Sequence, residues 1–291
     1  MRVAQGKACC SALLVLFTAM TASLFSVRAP AQSVDACLDL SYRSMYNLQF
    51  DQALKKAEDA QALAPFDPLP RMAEASALLF REFDRLHILS SEIFTSDDKF
   101  ASRSPHEWEP ASKKQFEAAL SAAEKLAQQR LARDKNDVRG LFAMTIINGL
   151  RADDAALIAK RNLTALAYTR TANGYAERLL TLAPNYYDAY VATGMGKYLI
   201  GGKPAPVRWV LRLGGLRGDQ EEGLKELKLA ADHGHYLAPF ARILLAFDDL
   251  RHKNKVEARK KLAWLSQQFP NNSHFTEEMG KLDHPLPGTG Q

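Results

Sequence analysis

The chain has 291 residues, of which 47% are hydrophobic and 24% are charged, a composition typical of a globular protein. Its formal net charge is +5, but residues 1–31 hold three basic side chains and no acidic one, so the remainder carries only +2. This near-neutral balance excludes the general basic surface of a nucleic-acid-binding protein.

The first 31 residues have the pattern of a secretory signal peptide. Arg2 and Lys7 precede an apolar run over residues 8–25, and residues 29–31, Ala-Pro-Ala, fit a cleavage site. We expect Sec-type export and cleavage after residue 31, which places the mature protein in a bacterial periplasm or envelope. The alternative is an uncleaved signal anchor, because the apolar run is almost long enough to span a bilayer.

From Val34 onward, apolar residues recur with helical spacing and strand-like alternation is nearly absent. Residues 34–47 and 50–64 are predicted to form a first hairpin of two helices. The second helix places small residues on one face and ends at a proline, as expected for a face that packs on the first helix. The same spacing of four, three and five residues occurs three times: Ala53, Ala57, Ala60 and Pro65; Ala172, Ala176, Leu179 and Pro184; Ala258, Leu262, Leu265 and Pro270.

The middle of the chain is less regular. Helices are predicted over residues 69–86 and 111–133, with a loop rich in Ser, Asp and Pro over 96–110. Another hairpin is predicted to begin near residue 141. A helix that begins near Tyr187 follows, and its Gly194 is expected to allow close approach of a second helix.

The C-terminal third begins with an interruption. Residues 201–218 hold five glycines and two prolines, after which Asp219 and Glu222 predict a capping box for the next helix. A last hairpin follows, and a short helix over 273–282 is expected to cover the open end of the repeats. Residues 283–291 are predicted to be a disordered tail.

This pattern resembles the tetratricopeptide repeat, whose period is about 34 residues. The resemblance covers residues 32–282 and implies an all-α, right-handed helical-hairpin solenoid of five to six hairpins, some with elongated helices. The run from Leu213 to Leu227 is also similar, more weakly, to a segment of Iml-type tetratricopeptide proteins.

The resemblance implies a partner-binding groove lined by the first helix of each hairpin. At these positions the chain has apolar and aromatic residues rather than the Lys, Asn and Arg of the family's carboxylate clamp, so we expect hydrophobic anchoring of a protein or peptide. The alternative is that these residues only pack against neighbouring helices. The candidates are Tyr42, Met45, Asp188, Val191, Met195, Tyr198, Phe240, Ile243 and Phe247.

The interruption over 201–218 is a second candidate site. Trp209 lies in an apolar run beside Arg208 and Arg212, a combination suited to peripheral membrane contact or docking. Two interpretations of the segment remain open: it contacts a membrane or docks a partner, or it folds back and covers the repeats. The alternative function is a membrane-associated assembly factor, attached through this segment or through the uncleaved N-terminal helix.

No catalytic motif is present, and the nearest approach to a metal pair, His233 and His235, is better explained as the end of a helix. We therefore predict no catalytic residue, no metal and no cofactor. The expected function is an exported non-enzymatic scaffold for a protein or peptide. An enzyme with an unrecognised site is the remaining alternative, and the sequence leaves the oligomeric state open.

Overall fold

The computed structural model describes residues 33–91, 102–202 and 218–283, all within one compact unit, Gln32–Gln291. In these ranges it contains eleven α-helices and no strand. The predicted signal peptide, residues 284–291 of the predicted tail and the candidate residues Arg208, Trp209 and Arg212 lie outside the described residues. Asp283, where the predicted tail begins, is instead the last residue of a helix. No helix of the described part combines the length and the apolar character needed to cross a membrane.

In the described ranges the helices follow one another as five hairpins and a last single helix. This arrangement confirms the predicted all-α, helical-hairpin fold. A π-helix, Asp154–Ile158, follows α5, and a 3-10 turn, Tyr187–Ala189, precedes α7. In chain order the helices are α1 (Val34–Tyr46), α2 (Phe50–Leu63), α3 (Pro68–Arg85), α4 (Pro110–Arg133), α5 (Val138–Asp153), α6 (Asn162–Leu182), α7 (Tyr190–Gly201), α8 (Gln220–His233), α9 (Ala238–Arg251), α10 (Lys255–Gln268) and α11 (Ser273–Asp283).

The repeated spacing of small residues marks the faces on which the second helices pack. In α2, α6 and α10 every residue at these positions is buried, which confirms the prediction. Small side chains at the contact allow helix axes to approach while still removing apolar area from water. The buried positions are Ala53, Ala57, Ala60, Ala172, Ala176, Leu179, Ala258, Leu262 and Leu265.

Acidic caps explain where several helices begin. Asp67, Glu109 and Asp137 each accept hydrogen bonds from backbone amides of the first turn that follows them. Asp219 likewise accepts from the Glu222 amide at 3.1 Å. The predicted capping box is wrong in its second half, because the Asp219 amide donates to the Lys197 carbonyl of α7 instead of the Glu222 side chain.

The predicted close approach at Gly194 is confirmed. A Cβ atom added there would lie 2.9 Å from the carbonyl oxygen of Gly223, so the backbones of α7 and α8 nearly touch. Only glycine on both helices permits this distance.

The last hairpin and α11 pack against the first hairpin, which the sequence analysis did not predict. The Tyr46 hydroxyl donates to the Tyr236 carbonyl at 3.1 Å, and the Asn272 side-chain amide donates to the Tyr46 carbonyl at 2.9 Å. Glu278 of α11 also accepts from the backbone amide of Ser91 at 3.2 Å. The inner faces of the helices therefore partly enclose a space.

Candidate functional site

An apolar cavity of about 150 Å³ lies inside the enclosure. Its walls come from α1, α3, α5, α6, α7 and α9, so it is bounded mainly by the first helix of each pair. Five predicted groove residues line it together: Tyr42, Met45, Val191, Met195 and Phe240.

These residues meet because each inner helix presents one face to the centre. Tyr42 and Met45 are three positions apart in α1, and Val191 and Met195 are four apart in α7, spacings that place side chains on the same face of a helix. Tyr42 and Met45 are only 4% and 2% exposed. They therefore belong to the hydrophobic core as well as to the cavity wall. Packing against neighbouring helices, the alternative given by the sequence, describes both residues, and their binding of a partner stays a prediction.

A smaller cavity of about 40 Å³ adjoins the same core and is lined by Ile243 and Phe247 of α9. Met45 and Phe80 contribute to both cavities. The Phe80 and Phe240 rings pack edge to face, with centroids 5.8 Å apart. The aromatic side chains thus connect the first two hairpins to the last one.

Two predicted groove residues line neither cavity. Asp188 is buried, and its carboxylate accepts from the backbone amides of Tyr236 and Leu237 at 3.1 and 2.9 Å, which fixes the chain before α9. The Tyr198 hydroxyl donates to Asp248 at 2.7 Å and joins α7 to α9. Both side chains have structural roles in these contacts.

Three aliphatic hydroxyl groups of the large cavity use their protons within their own helices, whereas the Tyr42 hydroxyl is buried without a hydrogen-bond partner. Ser76 donates to the Met72 carbonyl at 3.0 Å and Thr145 to the Leu141 carbonyl at 2.9 Å. Thr169 of α6 makes the same type of bond, to the Ala165 carbonyl. Towards the cavity, these three oxygen atoms can only accept hydrogen bonds.

Asn173 of α6 adds a further acceptor. Its side-chain oxygen is buried and has no hydrogen-bond partner. Its side-chain nitrogen packs against Gly196 of α7, where an added Cβ would lie only 2.1 Å away. A buried oxygen without a partner is unfavourable, and such an oxygen in a cavity wall is available to a ligand donor.

Asp153 is the acidic residue of the cavity wall. Its carboxylate has no ion pair or hydrogen bond among the described residues, and the side chain is partly buried at the cavity wall. Burial, and secondarily the negative charge of Asp154, raises its pKa to about 7. Asp153 ends α5 where the π-helix begins, and π-helical turns are frequent at functional sites.

The sequence analysis missed Asp153 and Gly149, although a signal for both was present. Ile146, Gly149, Leu150 and Asp153 recur at intervals of three, one and three residues, which places them on one face of a helix. An acid within an apolar face would have marked the position. A Cβ atom added at Gly149 meets nothing within 4 Å, so this glycine leaves cavity space open.

A larger depression of about 910 Å³ lies beside α4, α5 and α6. Two of its charged side chains have partners: Arg151 pairs with Glu124 at 2.6 Å, and Asp154 accepts from the Trp108 indole at 2.6 Å. None of the predicted groove residues lines this depression, whereas five line the inner cavity, so the inner cavity is the stronger candidate site. Across the described ranges, no group of three His, Cys, Asp or Glu residues is placed to hold a metal ion.

No protein-family model and no curated protein matches the chain. Among solved structures, it is similar to a thermophilic tetratricopeptide-repeat protein of Thermus thermophilus. The TM-score is 0.43 and the sequence identity 15%, over 86% of this chain and 98% of that one. The description of the chain as an all-α protein of tetratricopeptide-like hairpins rests on its own helices and their buried faces. The similarity to Iml-type proteins stays a prediction.

Proposed function

We propose that this protein is an exported, non-enzymatic scaffold that binds a polypeptide partner by receiving one of its side chains in the inner cavity. The observation that carries the proposal is the apolar cavity whose wall contains five predicted groove residues from three hairpins. Burial of apolar partner surface on a rigid, preformed wall supplies affinity, because the protein loses little conformational entropy on binding.

The size of the cavity favours one side chain over a whole lipid. A cavity of about 150 Å³ holds a molecule the size of benzene. Protein interfaces commonly concentrate their energy in one or two such buried anchors. Leu199 lies at the cavity wall and is 46% exposed, so it marks the rim that a partner would contact.

The chemistry of the wall supports binding rather than catalysis. Among the described lining residues, Asp153 is the one carboxylic acid, and no Lys, His or Cys accompanies it. Enzyme active sites usually combine an acid with cationic or metal groups that stabilise developing charge.

Cross-linking from the rim tests the proposed function. A photoreactive amino acid is placed at Leu199 in the full chain, in cells, and cross-linked polypeptides are identified by mass spectrometry. Gly149→Leu fills the cavity from α5, where a side chain has room. Gly174→Leu is the matched control, because Gly174 is an exposed position in α6 with equal room and no place in the cavity wall.

We expect a specific cross-linked protein that Gly149→Leu abolishes and Gly174→Leu retains. A partner that survives Gly149→Leu would contradict insertion into the cavity. Folding of each variant is checked by its helical circular dichroism, so that loss of binding is not confused with loss of structure.

Export is the second part of the proposal, and the pattern of residues 1–31 supports it. N-terminal sequencing of the protein recovered from its native envelope is expected to begin at Gln32. Recovery of a chain that begins at Met1 in the membrane fraction would contradict cleavage and favour the signal anchor.

A further inference from the structure

We propose that the occupant of the inner cavity carries a primary ammonium group at the end of a short apolar stem, and that Asp153 binds this group. The inference rests on the proposed function, because it names the chemistry of the side chain that the cavity receives. It follows from the distribution of hydrogen-bond donors, acceptors and charges around the wall.

The wall supplies acceptors where a ligand's polar end would lie. Ser76, Thr145 and Thr169 have donated their protons to their own helices, and Asn173 presents a buried oxygen without a partner. The Tyr46 hydroxyl donates to a backbone carbonyl outside the cavity. The Tyr42 hydroxyl is buried without a hydrogen-bond partner, so it is the one unused donor among the described hydroxyl groups of the wall. Because the acceptors outnumber it, a ligand with several donors suits the wall best, and an ammonium group has three donors and no acceptor.

The charge of the wall has one sign. Asp153 lines the cavity without an ion-pair partner, and none of the described lining residues is Lys, Arg or His. A carboxylate or phosphate would meet no compensating cation and would face the acid directly. A buried charge requires an opposite charge or hydrogen bonds, so the complementary group is a cation.

The remainder of the cavity fits an apolar stem. Met195, Leu199, Ile146 and Phe240 surround space for roughly six carbon atoms, by comparison with cavities that hold benzene. An aliphatic amine of this length and the side chain of lysine share this chemistry, because both join a methylene chain to an ammonium group. A guanidinium group is larger and planar, and it requires more donors to be satisfied at once.

The protonation of Asp153 makes binding depend on pH. The other titratable groups of the wall are Tyr42 and Tyr46, whose pKa values burial raises above the usual range, so they stay neutral. Asp154 is the charged neighbour that acts on Asp153. The carboxylate form, which attracts an ammonium group, becomes dominant as the pH rises through about 7.

Three six-carbon probes distinguish a cationic, a neutral and an anionic end group: n-hexylamine, n-hexanol and hexanoate. Each is titrated calorimetrically into the full chain at pH 8. We expect hexylamine to bind at least tenfold more tightly than hexanol, and hexanoate to bind more weakly than either. Asp153→Asn is expected to remove the advantage of hexylamine and leave hexanol binding intact. Affinity for hexylamine, but not for hexanol, is expected to rise about tenfold from pH 6 to pH 8, because the ionised fraction of Asp153 rises by that factor.

Two short capped peptides that differ only in lysine or norleucine distinguish the sources of the ammonium group. Tighter binding of the lysine peptide assigns the group to a polypeptide partner, whereas binding of hexylamine alone assigns it to a free amine. Both results support the ammonium chemistry.

Equal binding of hexylamine and hexanol, both lost in Gly149→Leu and retained in Gly174→Leu, would overturn the inference and leave the apolar anchor site standing. Failure of all probes to bind the folded wild-type chain would overturn both the inference and the proposed role of the cavity.

Discussion

Asp153 and Asp154 are neighbours with opposite surroundings. Asp154 accepts a hydrogen bond from Trp108 at 2.6 Å and lies 3.5 Å from Lys113, whereas Asp153 has neither kind of partner and lines the apolar cavity. Keeping an unpaired acid in such a place lowers stability, and proteins retain destabilising groups mainly where function uses them.

The first prediction concerns the stability of Asp153→Asn. The pKa of Asp153 is about 7 in the folded chain and about 3.9 in an unfolded one, so the folded state binds more protons between these values. The free energy of unfolding therefore falls as the pH rises from about 4 to about 7. Asparagine does not titrate, so it abolishes this loss. We expect the free energy of unfolding of the variant to exceed that of wild type by about 1–3 kcal/mol at pH 8 and to be nearly equal to it at pH 4.

Urea denaturation at pH 4, 6 and 8 measures this difference. Asp154→Asn is the matched control, since it weakens the contacts with Trp108 and Lys113 and is expected to lower stability at pH 8. Parallel pH profiles for wild type and Asp153→Asn would contradict the raised pKa of Asp153.

At the residue scale, the sequence predicted which apolar side chains face inward but not which polar ones do. Tyr42, Met45 and Met195 follow from helical spacing and from the family resemblance. Asp153 adjoins another acid, and such pairs usually lie in solvent, so local sequence could not separate the two environments. The contacts of Asp188 with the chain before α9 could not be predicted from local sequence either, because they join residues 48 and 49 positions apart.

At the scale of elements, the hairpins are determined by local signals that agree with one another. The spacing of Ala and Leu residues and the prolines that follow define α2, α6 and α10, and acidic caps define where α3, α4, α5 and α8 begin. The irregular residues 103–109 were likewise predicted from Ser and Pro content. The π-helix after α5 was not predicted, because its geometry depends on packing instead of helix propensity.

The second prediction tests the closest helix contact. Gly194→Ala would place a Cβ atom 2.9 Å from the Gly223 carbonyl oxygen, which forces α7 and α8 apart. We expect the free energy of unfolding to fall by about 1–3 kcal/mol. Gly174→Ala, in an open position of α6, is expected to raise it by up to about 1 kcal/mol through helix propensity.

Chemical denaturation of both variants checks this prediction. If the free energy of unfolding of Gly194→Ala equalled that of Gly174→Ala, the close approach of α7 and α8 would be contradicted. Because neither glycine lines the inner cavity, binding of hexanol serves as an independent readout that both proteins remain folded.

At the scale of the whole molecule, contact between the chain's two ends creates the enclosure. Side chains of the first hairpin meet residues about 190 to 226 positions later, at Tyr236 and Asn272. Periodicity within a helix predicts its buried face but not the curvature accumulated over five hairpins. The sequence therefore predicted an inner face and could not predict that it closes.

The third prediction tests this closure through Asn272. Its side-chain oxygen accepts from the His274 amide at the start of α11, and its nitrogen donates to the Tyr46 carbonyl. Asn272→Asp keeps the acceptor and removes the donor. We expect the free energy of unfolding to fall by about 1–3 kcal/mol, because the substitution buries a carboxylate beside a carbonyl.

Hydrogen exchange is expected to increase in both α1 and α11 of this variant, although they lie at opposite ends of the sequence. Asn185→Asp, at an exposed position with no side-chain hydrogen bond, controls for the added charge. Increased exchange confined to α11 would contradict a cooperative closure.

The central claim is that the inner cavity receives an apolar group, and methionine methyl NMR tests it most directly. Met45 and Met195 line the cavity, whereas Met72 and Met144 are buried outside it. With benzene as a neutral probe, we predict that the methyl signals of Met45 and Met195 shift, that those of Met72 and Met144 stay in place, and that Gly149→Leu abolishes the shifts. Unchanged signals at Met45 and Met195 in the folded wild-type protein would contradict the claim.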